Sequence, residues 1–393
     1  MAINSTVRWF HNEMAGAPQI DCAGTSELIA ILDACLLNGF DSKNVDSLVV
    51  SGDVATVTIS GGHDYEKHAV IKIAGATPAE LNGDWRIATA DATTFTFATT
   101  GITDQTATGT ITAIRATPGS WEKAHTGTDK AAYRSTHPDA TGLLFRIIDD
   151  QATTGGIRIR GFESMTDVDT GTRPFPTEAQ VSDTNYRWRK SNTASASFLP
   201  RPWTLVCDES FVWFFVDFSS SATIPAAMYH FGDVAGRLDD AYRFVITGHT
   251  TATPASPGTN TNQNNFGGGQ HTGCFFARNA AGAEADPSLY VRNGRIGSND
   301  PGQGPAFPDN LTGGYLFSPV MAGSDGTGIN SIMRGVVPGI LQSWTDATTT
   351  LDTDLRRVLD PTAHYDRAVM VVAVSAALSN QSHVGVDIWG PWR

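Results

Sequence analysis

The sequence predicts a mainly β chain built from several β-sandwich-like or β-barrel-like modules, with one amphipathic helix near the N-terminus. Three observations carry this reading. Short runs rich in Val, Ile, Thr, Phe and Trp recur from Leu48 to the end of the chain, separated by Gly, Asn and Asp. One stretch alone, residues 25–40, repeats its apolar side chains convincingly at helical spacing. The length of 393 residues exceeds one ordinary core, so two or three domains are expected.

The first unit is an N-terminal segment, residues 1–47, with its helix over 25–38. Thr25 or Ser26 is placed to cap the free amides, and Glu27 suits the positive end of the helix. Leu28, Ile31, Leu32, Cys35 and Leu36 form the apolar face. Asn38-Gly39 is a stop, because both residues tolerate the left-handed conformation.

From Leu48 the period changes to that of a strand. Residues 48–116 read as a small β-module of five or more strands, with runs such as "LVVSGDVATVTI", "HAVIKIAG", "GDWRIATA" and "TFTFAT". Asn82-Gly83 fits a tight hairpin turn, where positive φ is needed. Trp85 and Ile87 share one side, and Phe95 and Phe97 join them as core.

Residues 117–393 read as a larger β-rich domain. "GLLFRIIDD" and "GGIRIRGFESM" look like paired strands. "RPWTLVCDESFVWFFVDF" is the strongest hairpin, broken at Asp208-Glu209-Ser210. "AAMYHFGD" and "AYRFVITG" extend its sheet, and "RAVMVVAVSAAL" reads as a buried strand. A weaker helix is expected near "DTDLRRVL". Residues 250–272, dominated by Pro, Gly, Asn and Thr, read as a flexible loop or arm, and 297–330 as loop-rich.

Composition narrows the function classes. Net charge is −13, from 27 basic and 40 acidic residues, which argues against a general nucleic-acid binder. The most basic stretch, Arg187 to Lys190, reads as a local salt-bridged patch. Charged residues make up only 17%, a surface suited to packing against neighbours or to a β-rich secreted protein. The four cysteines show no CxxC spacing and read as free core thiols, made in a reducing cytosol. The N-terminal stretch has no apolar signal core, and no run approaches the roughly 20 apolar residues that span a bilayer. Neither export nor a membrane span is expected.

Catalytic templates do not fit. No GxSxG elbow, HExxH, P-loop or helix-opening GxGxxG occurs, and His63 and His68 are five apart in a β region. Asp149-Asp150 and Asp239-Asp240 would offer paired carboxylates, but neighbours in a strand face opposite ways, so solvated turns are expected. "DVDTGT" at 167–172 lacks the closing glutamate of a calcium loop. No catalytic residue, cofactor or metal is therefore expected. Trp188 and Trp203 are candidate glycan contacts. Trp389, Trp392 and Arg393, with Phe266 in the arm, are candidate interface anchors, since Trp and Arg are frequent hot spots. The alternative for Trp389 and Trp392 is that they close their own domain.

"AVIKIAGATPAELNGDWRIATADATTFTFATTG" resembles a small β-module recurrent in virion proteins of tailed bacteriophages. Gly75, Ala76, Pro78, Leu81, Asn82, Gly83, Trp85, Phe95, Thr96 and Phe97 carry the match. The opening "VRWFHNEMAGAP", "LDACLLNGF", "MRGVVPGIL" and the terminal "VDIWGPWR" are similar to segments of phage structural proteins. The resemblance implies a non-enzymatic virion component, assembled in the host cytoplasm and placed in the tail or baseplate. Head decoration, or binding or degradation of a host surface glycan, are the alternatives. Its implied partners are other virion proteins and copies of itself, in a trimer or ring. It implies no residue-level site.

Overall fold

The computed structural model describes residues 5–20, 24–151, 156–190, 200–217, 226–250, 273–279, 288–293, 317–324, 332–343, 356–362, 365–374 and 383–393. The chain is mainly β, and its sheets are antiparallel.

The helix forms where its apolar spacing places it, in two parts. An α-helical stretch, Glu27–Leu32, runs on into wider π-helical turns over Asp33–Asn38. Leu28, Ile31, Leu32, Cys35 and Leu36 are buried, as the periodicity requires. The expected cap is replaced by a tertiary one. The Ser26 hydroxyl donates to Asp129, and the Leu28 amide donates to the carboxylate of Asp149 at 3.0 Å. Gly39 ends the helix at φ +69°, where a Cβ would lie 2.5 Å from the Arg115 carbonyl oxygen.

The small module is a two-layer sandwich. One sheet orders Phe40–Asn44, Thr112–Arg115, Val70–Ala74 and Gly83–Arg86. The other orders Thr89–Ala90, Thr94–Ala98, Val54–Thr58, Ser47–Ser51 and Gln105–Thr106. The layers meet through aromatic side chains. Trp85 of the first stacks on Phe97 of the second at 4.6 Å, and Phe95 lies beside Phe97. The Phe40–Asn44 strand, read as part of the N-terminal segment, thus belongs to this sandwich. Asn82-Gly83 does not make a hairpin turn. A 3-10 turn at Ala79–Leu81 precedes it, and the Asn82 side chain accepts from the Ala76 amide and donates to the Ala76 and Ala79 carbonyls. The preceding Gly75 has φ +79°, and a Cβ there would lie 2.0 Å from the Thr110 oxygen.

The larger region pairs a six-stranded sheet with a 13-stranded one. The six-stranded sheet runs Trp121–Gly127, Lys130–Ser135, Leu144–Ile148, Ile157–Met165 and Gly171–Phe175, with Arg187–Trp188 added against Ile157 and Arg158. The long sheet begins with Arg8–His11, which pairs with Trp203–Cys207. It continues through Phe211–Val216, Ala227–Asp233, Phe244–Thr247 and Cys274–Phe276. Ser288–Asn293, Phe317–Ser324, Ile332–Ser343, His383–Asp387, Val369–Ala373 and Arg356–Leu359 complete its path. It then curls back on itself. Ala235–Gly236 pairs with Gly335 and Val336, and the Trp213 indole donates to the Pro338 carbonyl at 2.7 Å.

Both faces of the central strands are therefore covered. On one, Phe231 stacks on Phe145 at 4.0 Å, and Trp188 stacks on Tyr229 and Phe214. The other carries Phe211, Trp213 and His230. Two expectations are corrected. The stretch read as a weaker helix contains the strand Arg356–Leu359, where pairing with Val369–Ala373 overrides local helix propensity. The loop-rich 297–330 contains the strand Phe317–Ser324. The arm, apart from Thr250, lies outside the described residues, and so does Cys22. Cys35, Cys207 and Cys274 are buried. Among the described residues, no helix is long and apolar enough to cross a membrane.

Candidate interaction surfaces

The closing segment folds onto its own chain. Trp389 lies under the Arg86 guanidinium, 4.7 Å from its carbon, with His68 against the ring at 5.6 Å. Arg86 also donates to the Ile388 and Trp389 carbonyls. The Trp392 indole donates to the Asp387 carbonyl at 2.8 Å, and its ring fills the space a side chain on Gly339 would need. Arg393 reaches the buried carboxylate of Asp208 at 3.0 Å and the Asp233 carbonyl at 3.1 Å. Both tryptophans are half-buried by these contacts. Phe266 lies outside the described residues.

Trp188 and Trp203 are both 0% exposed. The Trp188 indole donates to the Thr247 carbonyl, and that of Trp203 to Pro18 at 3.0 Å. Stacking on a sugar needs an open ring face, so neither residue is a glycan contact in this chain. The reason is the two-sided covering of the long sheet, which places both indoles in the core.

Neither acidic pair lies in a strand, and Asp149, expected in a solvated turn, is instead fully buried because Lys190 and the helix N-terminus compensate its charge. Asp149 turns inward to Lys190, at 3.0 Å, and to the helix N-terminus, while Asp150 turns out to Arg158. Burial pushes the Asp149 carboxyl up, against the opposing pull of Lys190. Lys190 also meets Glu27 at 2.5 Å, so part of the basic patch is a buried ion cluster that locks the helix to the six-stranded sheet. Asp239 pairs with Arg237, and Asp240 receives two bonds from Arg334 at 2.6 Å. Asp167 accepts from the amides of Asp169 and Thr170, which makes a turn. Among the described residues no group of His, Cys, Asp and Glu is arranged to hold a metal ion.

Sequence reading missed a surface on the module. The inward residues of its five-stranded sheet, such as Leu48, Val57, Phe95 and Phe97, are buried. The outward residues form cross-strand rows, the longest being Thr106, Val49, Thr56, Thr96 and Thr89. The flanking outward positions are Ser, Thr, Val and Ala, and none is charged. Val49 and Val54 are 37% and 42% exposed. The uncharged composition was visible in sequence, but its one-sidedness required the register.

No family model matches the chain, and no curated protein is significantly similar to it.

Proposed function

We propose that this chain is a structural component of a tailed-phage virion, in the tail or baseplate, acting through assembly with other virion proteins and with copies of itself. One observation carries the reading. The residues that resemble the phage β-module are those that build the sandwich. Gly75 takes the left-handed turn, Asn82 clamps the loop, and Trp85 meets Phe97 between the sheets. The motif is therefore a folded unit here and not a chance run of turn residues. The threonine-rich outer face supports the same reading through its lack of charge, a feature it shares with interface cores.

The test is to purify particles from a phage encoding the chain and locate it by labelled antibody and electron microscopy. Label on tails or tail tips is the expected result. Label confined to tailless heads would move the chain to capsid decoration. Absence from particles would overturn the virion reading. A glycan-active role is disfavoured, because the two indoles put forward for it are internal.

A further inference from the structure

We propose that the outer face of the module's five-stranded sheet docks on a second copy of the chain, against the outer face of that copy's six-stranded sheet. The inference rests on the assembly reading above and names the contact. It starts from a one-sided charge distribution. The stretches that supply the five-stranded sheet, 44–66 and 87–114, contain no Lys or Arg at all. Their exposed turns carry Asp46, Asp53, Asp91 and Asp104, so a neutral face is rimmed by acid alone.

The six-stranded sheet offers the complement. Its inner face, with Tyr133, Phe145, Ile147 and Ile159, belongs to the main core. Its outer face carries a small separate cluster of Ala132, Leu144 and Phe162, already buried under Ala124 and Met165, with the Arg146 guanidinium 4.9 Å from the Phe162 ring. Beside this cluster runs a cross-strand row of Lys130, Ile148, Arg158 and Arg187, with Arg134 on the same face. Lys130 and Arg134 already meet Asp169 and Glu122 in solvent-exposed pairs, while Arg158 meets Asp150 and Arg146 meets Asp183 in half-buried ones. Exposed pairs are weak and exchange partners readily.

Other modes of self-association fit less well. Two module faces packed on each other would set one acidic rim against another. The edge strands Thr89–Ala90 and Gln105–Thr106 are too short to template a partner strand. At ordinary strand spacings the module face covers about 400 Å² per copy, against about 800 Å² in a stable pair. A single contact is thus weak. Because it is head-to-tail, it becomes stable when repeated around a closed ring.

The test mixes ordinary and nitrogen-15-labelled full-length chains, treats them with a carbodiimide, and reads inter-copy links by mass spectrometry. The module face has no lysine, so each link from Asp53, Asp91 or Asp104 reports the surface opposite. Links to Lys130 are expected. Light scattering accompanies this on a Thr56→Arg/Thr96→Arg variant and on an Arg134→Glu/Arg158→Glu variant. Circular dichroism checks that each is folded. Both variants should fall to monomer mass. A wild-type chain that stays monomeric to its solubility limit overturns the proposal. So do links to Lys67 or Lys72 instead, or loss of association in the module variant alone, which marks face-to-face packing. Monomeric protein found on particles sinks this contact and spares the virion reading. Lys130-linked oligomers of a chain absent from particles do the reverse.

Discussion

The small sandwich and the long sheet solve the same problem differently. In the sandwich, strands such as Val54–Thr58 alternate buried and exposed side chains, and one face stays wet. In the long sheet, Trp203–Cys207, Phe211–Val216 and Ala227–Asp233 are buried at every position. Alternating strands need one covering layer, which the module supplies from its own neighbouring segments. Continuous apolar strands need two. Here the six-stranded sheet covers one side and the curled-back strand Ile332–Ser343 helps cover the other. Self-sufficiency in the module leaves a face free for contact, whereas these three central strands have none to spare.

The sharpest way to break this contrast is to empty the centre of the long sheet. Phe214 stacks on Trp188 and lies beside Trp203. Phe214→Ala should cost about 3–5 kcal/mol, the usual price of deleting a buried ring from a core that cannot collapse. Urea unfolding followed by tryptophan fluorescence measures it. A loss under about 1 kcal/mol, within the range of volume-conserving swaps, would mean the two covering layers are not rigidly packed.

The same contrast explains what the sequence made legible. The hairpin around Asp208-Glu209-Ser210 and the pairing of Leu144–Ile148 with Ile157–Met165 were readable, because each joins strands close in sequence. The helix was readable from its spacing, but its cap was not, since Asp149 arrives from a distant strand. The pairing of Arg8–His11 with Trp203–Cys207, and of Phe40–Asn44 with Thr112–Arg115, leaves no local trace. Such non-local choices also decided the surfaces. The aromatic content of Trp188 and Trp203 was legible, but the layer that buries them was not. The absence of Lys and Arg from the module sheet was legible, but not that its acids fall at the turns.

Acid should weaken the long-sheet region more than the module, where burial also pushes His63 and His68 down but less far. His230 and His249, both in the long-sheet region, are buried, and burial pushes each down to about 3; Arg189 adds to the shift of His249. An unfolded histidine takes its proton near pH 6.5, so below that the unfolded state binds protons that the folded state refuses. Stability is lost as pH falls from about 6.5 toward 3, at about 1.4 kcal/mol per pH unit for each histidine. By pH 5 the two together should cost about 4 kcal/mol. Asp149 and Asp233, whose carboxyls burial also pushes up, oppose this, and so does Glu209. Burial and Asp208 hold its carboxyl up, so its contribution is present in acid and lost as pH rises. Urea midpoints between pH 7 and 5 should fall, and His230→Phe, between Phe211 and Trp213, should flatten the fall by about half. An unchanged slope would place the acid sensitivity elsewhere.

A smaller effect is expected where the chain closes on itself. Arg393→Ala leaves the buried Asp208 carboxylate without its guanidinium, although the Ser210 and Phe211 amides still donate to it. The expected loss is about 1–2 kcal/mol, typical of one hydrogen bond to a charged group. A thermal scan of the variant detects it. If stability is untouched while oligomer mass drops, Arg393 acts between copies and not within one.

The smallest effect is expected on the module's outer face, and it sharpens the comparison most. Thr56 and Thr96 lie opposite each other in the longest outward row, with Val57 and Phe95 pointing to the core beside them. Replacing Thr56 by Ala removes a little β-propensity and no buried contact, so stability should change by less than about 0.5 kcal/mol. Denaturant unfolding of the isolated chain reads this directly. A larger loss would mean that the row holds the sandwich together and that its lack of charge is a feature of folding. A negligible loss, together with weaker association of the same variant, assigns the uncharged row to contact between copies.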